Sequence, residues 1–390
     1  MSIEMIGIPP ADLDRLAEVT SALATNAERN DRTADFPAEG IRVVHQAGLL
    51  TATVARRYGG PGGGLAGTAR ILGALGRGDP SVALISAMTL FTHAAQAAAP
   101  TWPDDAYRAA LAESAADPVL INALRVEPEL GTPARGGLPK TVATSTNGDQ
   151  GGWKITGRKI FSTGAEGLRY MAVWARTDDA DLRAGSFLVR NDAPGITIER
   201  SWDHLGLRAS RSDDVTFDAT PAVAAVLDAP PGSAVALTAW NSLGLSALYL
   251  GVASAARDWL IKFLSERTPA SLGAPLATLP RFQQAVGEIE SALGSAADLV
   301  DAVARRVDDG DQTAVARAPA VKLIATRAAI GSVEQAMALT GNNGLSRKNP
   351  LERHYRDVLC SRVHTPQDDS IALAAGRAAL DRWQTGGEHR

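Results

Sequence analysis

The residues best suited to acid–base chemistry are few. The chain has six histidines, at positions 45, 93, 204, 354, 364 and 389, and one cysteine, Cys360. Histidine is the side chain whose ordinary pKa lets it exchange a proton near neutral pH. His364 stands in a turn-forming run, His364-Thr365-Pro366-Gln367-Asp368-Asp369, while His93 lies in the helical run LFTHAA. A neutral imidazole at either place could deprotonate a phenol or an amine; His93 reads equally as a core histidine. His354, beside Arg353 and Tyr355, reads as a surface or subunit-contact residue. Cys360 reads as a small buried hydrophobe on a helix. A lone cysteine excludes an intramolecular disulfide and fits a reducing cytoplasm. Gly62-x-Gly64-x-x-Gly67 matches the dinucleotide fingerprint in form, but no parallel βαβ unit surrounds it, so a tight loop between helices is the reading. Arg208 could meet an anionic group through paired bonds, and Trp202, His204 and Trp240 could wall a substrate.

The elements that must position these residues change character along the chain. From Pro10 to Pro118 the pattern is helical, with apolar residues at three- and four-residue spacing and breaks at Pro37, Pro61, Pro80, Pro100 and Pro103. From Val119 to Pro230, short β-branched or aromatic runs (KTVATST, GWKITGRKIFST, YMAVWART, GSFLVR, GITIER, DDVTFD) alternate with Gly, Asn and Asp turns, which predicts an antiparallel sheet. Beyond Pro231 long helices return, over 233–268, 278–308, 314–340, 350–361 and 367–383. The fold class is therefore α+β in three sub-domains: an N-terminal helical domain (1–118), a β domain (119–230) and a C-terminal helical bundle (231–390).

Composition narrows the class further. Of the 390 residues 45% are hydrophobic and 21% charged, with a net charge of −4 and no basic block, so nothing points to nucleic acid or a membrane surface. The apolar segment Ala236–Leu264 is broken by Asn241, Ser242, Arg257, Asp258 and Lys262, which marks a helix buried in a bundle. The start, MSIEMIGIPPADLDR, lacks a basic region followed by an apolar core, so a soluble cytoplasmic protein is expected.

Five collinear segments resemble the acyl-CoA dehydrogenase superfamily: RRYGGPGGGL (56–65), LRVEPELGTPA (124–134), GWKITGRKIFSTGAEG (152–167), HLGLRASRSDDVTF (204–217) and GNNGLSRKNPLERHYRDVLCSRVHTPQDD (341–369). The resemblance spans nearly the whole chain and implies that superfamily's three-domain fold and a flavin cofactor, FMN or FAD. It implies that Phe161 packs on the flavin ring, that Thr163 hydrogen-bonds near N5, and that Gly131 and Thr132 meet the pyrimidine and phosphate. Arg267, Asn342 and Asn343 fall at positions that touch the rest of the cofactor. These last segments depart from the family pattern, with Leu272 in place of a phenylalanine, which makes a smaller or freely exchanging flavin plausible.

The resemblance also exposes a gap. The glutamate that removes the substrate's α-proton in acyl-CoA dehydrogenases would fall at residue 365, which is Thr, and the alternative site falls at Asn241. Neither is a carboxylate, and a threonine hydroxyl cannot do a carboxylate's work near neutral pH. The superfamily's reduced-flavin monooxygenases, dibenzothiophene monooxygenase among them, use histidines and an asparagine at places matched here by His364, His93 and Asn122. The implied function is oxygen transfer to a small organic substrate in a pocket between the β domain and the bundle. His364 and His93 would handle protons, and Asn122 or Ser162 would hydrogen-bond the activated oxygen. A separate flavin reductase and a homotetramer follow by the same analogy. Two other readings stay open: dehydrogenation of an acyl-CoA or acyl-carrier-protein thioester by FAD with a relocated base such as Asp368 or Glu166, and a base-less binding subunit.

Overall fold

The structure, a computed structural model, describes residues 8, 10–130, 137–146, 152–179, 182–227 and 233–387. Five helices come first: α1 (Leu16–Thr33), α2 (Ala38–Gln46), α3 (Leu65–Gly78), α4 (Pro80–Ala98) and α5 (Asp104–Ser114). Eight strands follow: β1 (Leu120–Leu124), β2 (Val142–Ser145), β3 (Trp153–Ser162), β4 (Leu168–Thr177), β5 (Ala184–Arg190), β6 (Ile196–Glu199), β7 (Asp213–Ala222) and β8 (Ala224–Val226). The chain then returns to helices α6 (Ser233–Glu266), α7 (Pro280–Asp308), α8 (Gln312–Thr340), α9 (Asn342–Leu345), α10 (Leu351–Leu359) and α11 (Asp368–Gly387). The α+β class and the helix–sheet–helix order agree with the sequence reading.

These elements cluster into two compact units. The first comprises residues 1–64, 81–204 and 208–233; the second comprises 65–80, 205–207 and 234–390. In the first unit the strands form one sheet in the order β6-β7-β3-β2-β4-β5-β8, with β1 added on β4. The sheet is mixed, not purely antiparallel, because β4 pairs in parallel with both β1 and β2. The signal was present in the composition of β4. Its YMAVWA run is apolar on both faces and lacks clean alternation, as strands covered on both sides do. Strand β8 is three residues long and gives too short a run to show alternation. Behind β1 and β4, Tyr107, Trp102, Tyr58, Ile121, Tyr170 and Leu188 form a core cluster, with Trp102 and Tyr58 each edge-on to Tyr107.

In the second unit α7 buries Phe282, Ala285, Ile289, Leu293, Ala296, Val300 and Val303, a spacing of three and four that makes a single apolar face. Helix α8 starts at Asp311, whose carboxylate accepts from the Thr313 amide at 2.8 Å. Helix α3 belongs to this unit because small residues let its backbone reach α6. A Cβ on Gly76 would lie 2.3 Å from the Leu248 carbonyl oxygen, and one on Gly251 would lie 2.2 Å from that of Gly73. The first amides of α3, Leu65 and Ala66, donate to the Asp308 carboxylate at 2.6 and 2.9 Å. That cap occupies the position where a dinucleotide phosphate would sit, so the glycine cluster is a loop entering a capped helix. Among the described residues two helices, α4 and α6, are long and apolar enough to cross a bilayer, and each has 72% of its most apolar window buried within the protein.

Candidate active site

In the first unit the site is built where β3 ends. The β3–β7 register slips between Lys159 and Ser162, and Phe161 adopts φ +55°, a left-handed conformation uncommon for an aromatic residue. The consequence is an apolar ring held 51% exposed at a strand end. Trp202 and His204, stacked on one another with centroids 3.6 Å apart, meet the Phe161 ring edge-on. Ser162 is buried and its hydroxyl has no hydrogen-bond partner among the described residues. Thr163 is held by its backbone, since its carbonyl accepts from Asn122 Nδ2 at 3.0 Å. Its hydroxyl lies 3.1 Å from Ser212 Oγ, which in turn lies 2.9 Å from Ser210 Oγ. Asn122 thus fixes the strand end that presents Thr163. Gly131 and Thr132 lie outside the described residues.

A dry ion pair anchors this strand. Lys159 Nζ donates to Glu127 Oε1 at 2.7 Å, with both side chains essentially inaccessible. Burial alone would raise the Glu127 carboxyl. Hydrogen bonds from Lys159, from Thr141 and from the Lys140 and Thr141 amides outweigh it and hold the group below the usual range. Burial lowers the Lys159 ammonium, offset in part by Glu127. The sequence offered a signal: Lys159 sits on the inward side of β3 with Ile155, and a charge there needs a buried partner.

His93 reaches the same unit from α4. Thr89, one helical turn earlier, accepts from the Ile121 amide at 3.0 Å and so ties that face of α4 to β1. His93 is completely buried, with Nδ1 2.9 Å from the Tyr107 hydroxyl and Nε2 unpartnered among the described residues. Burial lowers its pKa to about 4, so the ring is neutral.

The second unit carries His364 in the turn before α11. Its Nδ1 lies 2.6 Å from the hydroxyl of Tyr249, a buried residue of α6. Burial, and then the charge of Lys322, lower the His364 pKa to about 4. Lys322, buried on α8, donates to Asp368 Oδ1 at 2.7 Å and pins the start of α11. The same turn borders a cavity of about 620 Å³ lined by Arg327, Glu334, Arg362, Gln367, Asp368 and Asp369 among others. Thr365 is exposed, and Asn241 lies half-buried on α6. Asn342 and Asn343 are exposed at the start of α9, and Arg267 is exposed just past α6, where its backbone closes a turn with Phe263 and Leu276. His354 corrects its sequence reading: it is buried, with Nδ1 unpartnered among the described residues, and burial lowers its pKa to about 3. Its helix, α10, turns that side inward with Leu351 and Val358.

Comparison with known proteins decides the family. The acyl-CoA dehydrogenase N-terminal, middle and C-terminal domain families match residues 16–100, 126–220 and 243–368 in turn. The chain is 32% identical over 365 residues to the putative acyl-CoA dehydrogenase YdbM of Bacillus subtilis, covering 92% of this chain and 94% of that one. The chain belongs to the acyl-CoA dehydrogenase family. It is also 29% identical over 394 residues to the L-evernosamine nitrososynthase of a Micromonospora species, covering 95% and 90%. Among solved structures it is similar to KijD3 in complex with FMN and a dTDP-amino-keto sugar. There the TM-score is 0.77 and the identity 26%, over 95% of this chain and 93% of that one. The family's cofactor is a flavin, and the β3 end fits one. An outward-facing apolar ring, an unpartnered buried hydroxyl and a Thr hydroxyl on a fixed backbone suit a planar heteroaromatic with polar edge atoms.

Proposed function

We propose that this acyl-CoA dehydrogenase family member is a reduced-flavin monooxygenase acting on a small organic substrate with a protic nitrogen or oxygen. The observation that carries this reading is the lack of a carboxylate at either position matched to the thioester dehydrogenase base. Residues 365 and 241 are Thr and Asn. The carboxylates named as relocated bases are both engaged: Asp368 by Lys322, and Glu166 by Arg200 at 2.6 Å and Arg211 at 3.2 Å. A neutral histidine, His364, stands there instead.

Reduced flavin, when bound, supplies two electrons to O2, so that one oxygen atom passes to the substrate and the other leaves as water. Phe161 supports one face of the ring system and Thr163 meets its N5 edge. Ser162 Oγ is a hydrogen-bonding group in a dry place, where such a group acts strongly. His364 accepts the proton released by the substrate. In the tautomer in which Nδ1 carries the ring proton and donates to the Tyr249 oxygen, Nε2 keeps the lone pair that takes the substrate's proton. His93 Nε2 is a second neutral nitrogen able to bond a bound group. A separate reductase supplies the reduced cofactor, and exposed Leu373, Leu380 and Trp383 on α11 support assembly of copies, a homotetramer by family analogy.

The likeness to YdbM supports a second reading, FAD-dependent thioester dehydrogenation. One experiment separates the two. Protein mixed with photoreduced FMN is exposed to oxygen, and the return of oxidised-flavin absorbance is followed. The monooxygenase reading expects a slow second phase absent from free flavin and shortened in His364→Ala. Single-phase return at the free-flavin rate, together with anaerobic bleaching of bound FAD by acyl-CoA thioesters, would establish dehydrogenation instead.

A further inference from the structure

Three hydroxyls form a chain from the turn before β7 to the β3 end: Ser210, Ser212 and Thr163, with oxygens 2.9 and 3.1 Å apart. The spacing is fixed by the backbone. The Gly164 amide donates to the Ser210 carbonyl at 2.8 Å, the Ala165 amide to the Arg211 carbonyl at 3.1 Å, and Asn122 holds the Thr163 carbonyl. Ser210 and Ser212 are buried, and the chain is closed inward because Ser210 Oγ meets no other hydrogen-bond partner among the described residues.

A hydroxyl has one proton to give, so such a line has a direction. With protons pointing inward, the Ser210 proton ends in a buried place without an acceptor, which is costly. With protons pointing outward, Ser210 donates to Ser212, Ser212 donates to Thr163, and the Thr163 proton faces whatever binds at the strand end. The outward direction leaves no buried donor orphaned. We infer that Ser210 and Ser212 form a directional relay that makes Thr163 a hydrogen-bond donor toward the flavin and so discriminates between the cofactor's redox states.

The inference rests on the reading that flavin packs at Phe161–Thr163. Oxidised flavin offers a lone pair at N5, which a donor matches. Reduced flavin carries a hydrogen there and needs an acceptor, so the relay favours the oxidised form through hydrogen-bond direction, not through shape or charge. Ser210 and Ser212 are positioning residues in this scheme, acting through Thr163.

The test is affinity in both redox states. Wild-type protein, Ser212→Ala, Ser210→Ala, Ser212→Thr and Thr163→Val are titrated with oxidised FMN and, anaerobically, with photoreduced FMN. Loss of Ser212 removes the donor on the inner side and leaves space in which a water can accept the Thr163 proton, so the hydroxyl can turn a lone pair outward. The ratio of the oxidised to the reduced Kd then rises about fivefold, equivalent to about 20 mV for a two-electron couple. Ser210→Ala moves the ratio the same way, and Ser212→Thr restores it. An unchanged ratio in both alanine variants, with Thr163→Val still shifting it, overturns the relay while leaving the flavin at Thr163. If Thr163→Val alters neither Kd, the relay falls together with the flavin placement beneath it.

Discussion

Each compact unit holds a neutral histidine whose Nδ1 meets a tyrosine hydroxyl, His93 with Tyr107 and His364 with Tyr249. Each also has a lysine–carboxylate pair anchoring the backbone nearby, Lys159–Glu127 in the first unit and Lys322–Asp368 in the second. The difference is in wetness. His93 sits mid-helix with no access to solvent and its pair is dry on both sides, whereas His364 sits in a turn and Asp368 remains 21% exposed. Burial is the first cause of the depressed pKa in both histidines, but only His364 has a cation as a second cause. A dry site is set by packing and is costly to disturb; a partly wet one is set by electrostatics and can be tuned.

The lysines test that contrast most strongly. Removing one partner of a fully buried pair costs about 3–5 kcal/mol, so Lys159→Met should lower the urea unfolding free energy by about that much. Glu127 keeps its Lys140 and Thr141 donors, which places the result toward the lower end. Lys322→Met should cost less, roughly 2 kcal/mol, because solvent reaches Asp368. The same substitution should raise the His364 pKa, by NMR titration, yet leave it below the ordinary value, since burial is its larger cause. Equal destabilisation by the two methionines would break the comparison.

Acid comes next. A histidine whose folded pKa is about 4 binds no proton where the unfolded chain, near 6.5, already does. The unfolded state then holds more protons, so stability falls as pH drops from about 6.5 toward 4. Near pH 5 each such histidine should cost about 2 kcal/mol relative to neutral pH. His354, with a pKa of about 3, acts in the same sense. His93→Phe should remove one share of this slope in urea midpoints measured at the two pH values. A slope unchanged by that substitution would mean that His93 is not the dry, neutral group described.

Much of this architecture was legible in the chain. The long helices α6, α7 and α8 showed themselves through their length and recurrent apolar residues, and six of the eight strands through β-branched runs between turn residues. What the runs could not show was pairing: β1 and β2 both lie parallel to β4, contacts made across dozens of residues. The site divides the same way. Phe161, Thr163, Asn122, His93 and His364 were singled out as site candidates through family resemblance, but their hydrogen-bond partners Tyr107, Tyr249, Ser210 and Ser212 were not. Thr163 and Ser212 are 49 residues apart and His364 and Tyr249 are 115 apart, so no local pattern links them. His354 was misread because its neighbours Arg353 and Tyr355 suggested surface, whereas the helix turns Arg353 and His354 inward together.

The smallest effect carries the sharpest distinction. In Tyr107→Phe, His93 loses its remaining partner in a site that water does not reach, and a buried polar atom left unpaired costs about 1–3 kcal/mol. In Tyr249→Phe, water can take the vacated place beside the half-buried His364, so less than about 1 kcal/mol should be lost. Turnover should respond in the opposite order. Without Tyr249 no partner among the described residues selects which His364 nitrogen carries the proton, and a mis-set tautomer removes part of a general-base contribution, about tenfold in kcat. Tyr107→Phe should leave kcat within about twofold once the folded fraction is corrected for, if His93 serves chiefly as packing. Measuring unfolding free energy and kcat on the same two variants therefore separates the roles. A large kcat loss in Tyr107→Phe would give His93 a part in turnover and dissolve the distinction between a packed histidine and a tuned one.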